Sequence, residues 1–171
     1  MAHITITEAD LSRREHRDAV VDLINSYAMD PMGNGKPLSP EVREALVPGL
    51  REHPTTMIFL AFREGRAVGI ALCFGGFSTF TARPLVNIHD LAVLPEYRGE
   101  GIARRLLEAV EEKSRRIGCC KLTLEVLEYN THARRVYEAA GFGEPRYNGG
   151  TGGTSFLVKE LSRPVKRGGT E

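Results

Sequence analysis

Apolar and polar positions along the chain recur with two periods, and the switches between them mark out its elements. Ile4 and Ile6 alternate with Thr5 and Thr7, the signature of a short strand. Val20, Val21, Leu23, Ile24 and Tyr27 then recur at helical spacing, with Ser12 and Glu15 at capping-box spacing ahead of them and an end near Asp30, before Pro31. Beyond a loop marked by Gly33, Gly35 and Pro37, Ser39 and Pro40 read as N-cap and first residue of a shorter helix that Pro48 interrupts. Met57 to Arg63 and Ala67 to Phe74 read as a hairpin about Gly65, with Gly75 and Gly76 opening a loop that lasts to Pro84.

The stretch from Leu85 to Ala109 combines both periods. Val86, Ile88, Leu91, Ala92 and Val93 form a run of strand length that Pro95 ends; Gly99 and Gly101 make a turn; Ile102, Ala103, Leu106, Leu107 and Val110 begin a helix that stops at Gly118. Cys119 to Leu127 reads as another strand, half buried, and Ala133, Val136, Tyr137 and Ala140 trace a short helix closed by Gly141. Two last strands follow around Asn148 to Gly153, Phe156 to Leu161 being the clearer. The order predicts an α/β fold with a mixed sheet, antiparallel in its hairpins and parallel across strand–helix–strand units. Residues 1–162 read as a single domain and 163–171 as a flexible tail.

Composition narrows the partners. With 171 residues, 42% hydrophobic and 26% charged, the chain is an ordinary globular one, and a net charge of +1 supplies no field to draw in nucleic acid or an anionic membrane. The opening MAHITITEADL carries no basic leader, and no apolar run approaches the roughly 20 residues that cross a bilayer, so a soluble, cytoplasmic protein without membrane or nucleic-acid partners is expected. Cys73, Cys119 and Cys120 lack the spacing of a metal site or a disulfide framework; reduced thiols and no metal are expected.

A helix that opens on glycines offers N–H groups without intrahelical partners to an anion, with the helix dipole behind them. The segment Arg98-Gly99-Glu100-Gly101-Ile102-Ala103 is not a P-loop, which needs Gly-Lys-Ser/Thr, nor a dinucleotide turn, since Arg104 stands where the third glycine belongs. It matches R/Q-x-x-G-x-G/A through Arg98, Gly101 and Ala103, preceded by Val93-x-Pro95-x-Tyr97 and followed by Asn130, Ala133, Tyr137, Gly141 and Phe142 in N-x-x-A-x-x-x-Y-x-x-x-G-F. In both motifs, in order, the chain resembles the GCN5-related N-acetyltransferases from about Val86 to Phe142.

The resemblance implies the acyl-CoA N-acyltransferase fold, a mostly antiparallel sheet with helices on both faces, and acetyl-coenzyme A (acetyl-CoA) as co-substrate. It places the pyrophosphate on the backbone of Arg98, Gly99, Glu100, Gly101, Ile102, Ala103 and Arg104, with charge from Arg98, Arg104 and Arg105. Pantetheine pairs along Leu91, Ala92 and Val93 and meets Asn130, beside Ala133. Asn130 also reads as the cap of its helix.

The acceptor chemistry follows from the donor. An alkyl amine with a pKa of about 10 is about 99.9% protonated at pH 7, and only its neutral form attacks a thioester, so a base is needed. His89 and Asp90 are the candidates; neighbours on a strand face opposite ways, so only one looks into the cleft unless a bulge intervenes. Asn87, on the same face as His89, is a candidate holder of a water. The resemblance makes Leu91 or a neighbour the N–H that meets the developing oxyanion, and Tyr137 the group facing the departing sulfur. A phenol at about 10 is a weaker acid than a thiol at about 8.5, so full proton transfer is uphill by roughly 2 kcal/mol and a hydrogen bond is the natural role. No histidine stands at local spacing from Cys119 or Cys120, which favours direct transfer over a cysteine acyl-enzyme. The expected function is N-acetyl transfer to a primary amine of a small molecule or peptide, with a non-catalytic acetyl-CoA sensor as the alternative and a homodimer left open.

Overall fold

The computed structural model describes residues 3–144 and 157–159. Five strands form one sheet in the order β1-β2-β3-β4-β5: β1 Ile4–Glu8, β2 Thr56–Arg63, β3 Arg66–Ser78, β4 Arg83–Val93 and β5 Leu122–Leu124. The first four pair antiparallel, while β5 lies parallel to β4 after a crossover through a helix. Helices α1 Arg14–Met29 and α2 Pro40–Glu52 precede β2; α3 Ile102–Arg116 and α4 Thr131–Ala139 flank β5. The predicted α/β architecture is the one observed.

Alternating residues of β2 serve two cores. Ile58 and Leu60 point to one face, where they pack with Val20, Leu23, Ile24, Leu50, Ile70 and Leu72 beneath α1 and α2. Phe59 and Ala61 point to the other, packing with Val68, Val86, Ile88, Ile102, Leu106 and Val110 beneath α3. A strand buried on both faces reads as an unbroken apolar run, which is why Met57 to Phe62 showed so little alternation. Val136, Tyr137 and Ala140 of α4 lean on the α3 side.

Several boundaries differ from those the pattern predicts. The Ser12–Glu15 box does not form: α1 starts at Arg14, the Asp10 carboxylate accepts from the Ser12 N–H (2.9 Å) and hydroxyl (2.7 Å), and buried His16 accepts from the Asp10 N–H (2.9 Å). Pro48 sits inside an unbroken α2, on its exposed face, so the carbonyl of Glu44 left without a helical donor faces water. Gly75 and Gly76 do not open a loop but remain in β3 opposite Val86 and Leu85, extending the hairpin as far as Ser78↔Arg83. The strand expected over Cys119 to Leu127 shrinks to Leu122–Leu124, because β4 changes phase just where β5 would continue. The two last strands lie outside the described residues except for 157–159, which form no strand, and the tail lies outside them altogether. Among the described residues no helix is long and apolar enough to cross a membrane.

Candidate active site

The phase change in β4 builds the centre of the site. Pairing with β3 passes from Cys73↔Ile88 to Leu72↔Asp90, which leaves His89 as a bulged residue without a partner. Before the bulge, the Val86 N–H points to β5 and donates to the Lys121 carbonyl at 3.2 Å. After it, the Leu94 N–H points to β3 and donates to the Val68 carbonyl at 2.9 Å. Alternation then turns the backbone groups of Ala92 toward Ile70 in β3, and those of Leu91 and Val93 to the opposite side. β5 is gone by then, its last pair being Ile88↔Leu124, so the Leu91 N–H looks into a fork between strands. The Val93 carbonyl on that side accepts from Arg98 Nε at 3.1 Å.

The bulge also puts His89 and Asp90 on the same face, that of α1 and α2. The His89 ring is exposed and stands edge-on to Phe74 with centroids 5.5 Å apart, and Phe74 in turn meets His53 at 4.7 Å. Asp90 is half-buried, and desolvation raises its carboxyl above the ordinary range while His89 pulls the other way. Its charge is felt by two phenols. Burial pushes Tyr137 up to about 12, helped by Tyr27 and Asp90; burial also raises Tyr27, with Asp90 and Asp30 adding to it. Tyr27 from α1, Asp90 from β4 and Tyr137 from α4, each half-buried, thus lie within electrostatic reach of one another. The Tyr137 ring is fixed edge-on to Phe142, 6.0 Å away.

The loop after β4 is held as a rigid cradle. Gly101 caps α3 in the left-handed region (φ 77°), as Gly99 does (φ 81°), a conformation a side chain strains. The first intrahelical donor is the Arg105 N–H, to the Gly101 carbonyl at 3.1 Å, so the N–H groups of Ile102, Ala103 and Arg104 have no helical partner. The first turn has no acid but contains Arg104 and Arg105, cations set against the dipole, and it therefore suits an anion. The Ile102 side chain points inward at 1% exposure, so only its backbone serves the cradle. Gly69 brings that turn onto the sheet: a Cβ there would lie 3.1 Å from Ile102 Cγ2 and 3.2 Å from the Ala92 carbonyl oxygen.

Side chains predicted to face the phosphates are partly occupied elsewhere. Arg98 donates to Asp30 at 2.6 Å, which lowers the Asp30 carboxyl and ties the loop to the end of α1. Glu100 turns away to Arg63 at 2.6 Å, removing its charge from the cradle. Arg104 pairs with Glu108 at 2.8 Å while staying exposed. Arg63 and Arg66 lie over the Tyr97 ring, which fixes the single 3-10 turn Pro95–Tyr97. Asn130 accepts from the Ala133 N–H at 3.2 Å, so its carbonyl caps α4 and its amide nitrogen is left to donate. The Asn87 nitrogen donates to Thr123 Oγ1 (3.1 Å) and reaches both Glu125 oxygens (3.4 Å).

Sequence reasoning missed Tyr27, Asp30 and Glu125. In the pattern Tyr27 is one of the apolar positions of its helix and Asp30 marks the helix end; the fold brings Tyr27 within reach of the Asp90 charge and Asp30 against Arg98. Cys73 is buried with its thiol pushed up to about 12, while Cys119 and Cys120 follow the far end of α3, so the fork holds no activated thiol among these three.

Residues 20–142 match the model of the acetyltransferase (GNAT) family. The chain is 30% identical over 123 residues to the uncharacterized N-acetyltransferase YhfO of Bacillus subtilis, covering 72% of this chain and 77% of that one. It is 38% identical over 74 residues to the thialysine N-epsilon-acetyltransferase of Bos taurus; the matched stretch is 43% of each chain, less than half of that enzyme's length. Its fold superposes on an aminoglycoside N-acetyltransferase solved in complex with CoA with a TM-score of 0.71 at 20% identity, covering 94% of this chain and 97% of the other.

Proposed function

The chain belongs to the acetyltransferase (GNAT) family, and on that premise we propose that it transfers an acetyl group from acetyl-CoA to a primary amine by direct attack in a ternary complex. The observation that carries this reading is the Leu91 N–H, left open at the fork by the His89 bulge, with Asp90 next to it in the strand and the Tyr27 and Tyr137 phenols within electrostatic reach of Asp90. The names of relatives that act on thialysine and on aminoglycosides support an amine as acceptor.

Acetyl-CoA supplies the activated acyl group and a thiolate able to leave. The backbone N–H groups of Gly99 to Arg104 bind its pyrophosphate, with Arg104 and Arg105 as counter-charges and Arg98 holding the loop shut through Asp30. Leu91 and Val93 offer their open edge to the pantetheine arm, and the Asn130 amide nitrogen donates to it. The Leu91 N–H meets the carbonyl oxygen where negative charge develops. Asp90 takes the proton of the ammonium, directly or through one water; its raised pKa brings it closer to that task than an ordinary carboxylate. His89, exposed on the Phe74 ledge, lines the acceptor side. Tyr137, at about 12, is uphill of a CoA thiol at about 8.5 by about 5 kcal/mol, so it donates a hydrogen bond to the leaving sulfur rather than a whole proton.

The donor half is tested by Gly101→Glu, which places bulk, charge and a strained left-handed side chain in the cradle. Thermal stabilisation by CoA in the wild type and its loss in this variant are expected; equal stabilisation of both, or stabilisation by NAD and not by CoA, overturns the loop assignment.

A further inference from the structure

The unused part of the fork points to the acceptor. Glu125 follows the last residue of β5, and the parallel register Asn87↔Thr123, Ile88↔Leu124 carries it opposite the bulged His89. Thr123 and Glu125 share the face of Asn87, His89 and Asp90, so Asp90 and Glu125 stand on either side of the place where the strands part. Asn87 holds Glu125 by its nitrogen, 3.4 Å from each carboxylate oxygen, which presents the charge without cancelling it. Acids around the neighbouring loop are neutralised: Asp30 by Arg98, Glu96 by Arg66, Glu100 by Arg63 and Glu108 by Arg104. Among the described residues neither Asp90 nor Glu125 has an ion-pair partner. Beside them the rings of His53, Phe74 and His89 make an aromatic ledge on whose faces a methylene chain can lie.

Resting on the acetyl-transfer reading, we infer that the acceptor is a dication: one amine is acetylated beside Asp90 while a second ammonium is held by Glu125. The Glu125 row and the Leu91 row are two residues apart along β4, and the bulge between them shortens that span to roughly 4–6 Å, within reach of a short-chain α,ω-diamine lying on the ledge. An exposed carboxylate held this way is worth up to about 1 kcal/mol, so a preference of about fivefold is the scale to look for.

The test compares 1,4-diaminobutane with butan-1-amine, alike except for the second ammonium, by thiol release from acetyl-CoA. The diamine is expected to show kcat/KM about fivefold higher, through a lower KM, with the advantage shrinking in salt as an exposed ion pair requires. Glu125→Gln is expected to bring the ratio of the two amines near one by raising KM for the diamine. Equal efficiency of both amines in the wild type, or a preference that survives Glu125→Gln, overturns the dication inference while leaving acetyl transfer standing. Thiol release with neither of these nor any other amine, despite CoA binding, overturns both.

Discussion

Asp90 gives up part of its hydration when the chain folds, and that cost has a readable sign. Burial raises its folded pKa above the unfolded value of 3.8, so between the two the native state holds more protons, and stability falls as pH rises through that window. Asp90→Asn is therefore expected to raise the thermal midpoint at pH 7, with the gain vanishing below about pH 4, while turnover drops about 100-fold. The pH profile of wild-type kcat/KM should carry an acid limb, from the carboxyl losing its proton, that this variant lacks. Tyr137→Phe should lower kcat about tenfold or more with little change in KM for acetyl-CoA, because the hydroxyl is needed only as charge grows on sulfur. Unchanged turnover would return Tyr137 to the core it leans on. These side chains were only half legible beforehand. The motif singled out Tyr137 and the strand offered His89 and Asp90, but alternation alone forbids both from one face, and it took the bulge to put them there.

Between elements, the tight contact is α3 on β3, and Gly69 permits it. A methyl there meets the Ala92 carbonyl, which cannot move, and the Ile102 and Leu106 side chains, so Gly69→Ala is expected to cost about 1–3 kcal/mol in denaturant unfolding and to weaken CoA binding by displacing the cradle. A loss of stability without loss of CoA affinity would show that cradle and sheet are not coupled. Asp30→Asn, which breaks the tie to Arg98, should raise KM for acetyl-CoA several-fold through loop freedom, with kcat little changed. The cradle's location was legible because the glycines, the proline and the helical period lie within one continuous stretch. The end of β5 was not, since a strand's length depends on whether its neighbour keeps phase; neither was the reach of β3 through Gly75 and Gly76, because pairing with β4 supplies the order their missing side chains do not. Pro48 likewise reads as a break, but on the exposed face of α2 the carbonyl it leaves without a donor is open to solvent and the helix continues.

At the scale of the molecule, a sheet with cores on both faces parts at the fork beyond Ile88 and Leu124, and the proposed roles gather around it. α3 brings the anion cradle to its rim, α1 brings Tyr27 and Asp30, α4 brings Tyr137, and β5 ends there with Glu125. The proposed donor side rests on two local motifs, whereas the proposed acceptor side draws on residues far apart in the chain, each unremarkable where it stands. The most direct test of the account mixes the protein with acetyl-CoA, follows free thiol, then adds an amine and weighs the product. Direct transfer predicts no thiol before the amine, and afterwards one thiol for each N-acetylated amine. A burst of thiol equal to the enzyme before any amine is added would contradict direct attack, and no amine-dependent release across a panel of primary amines, with CoA demonstrably bound, would contradict the proposed activity itself.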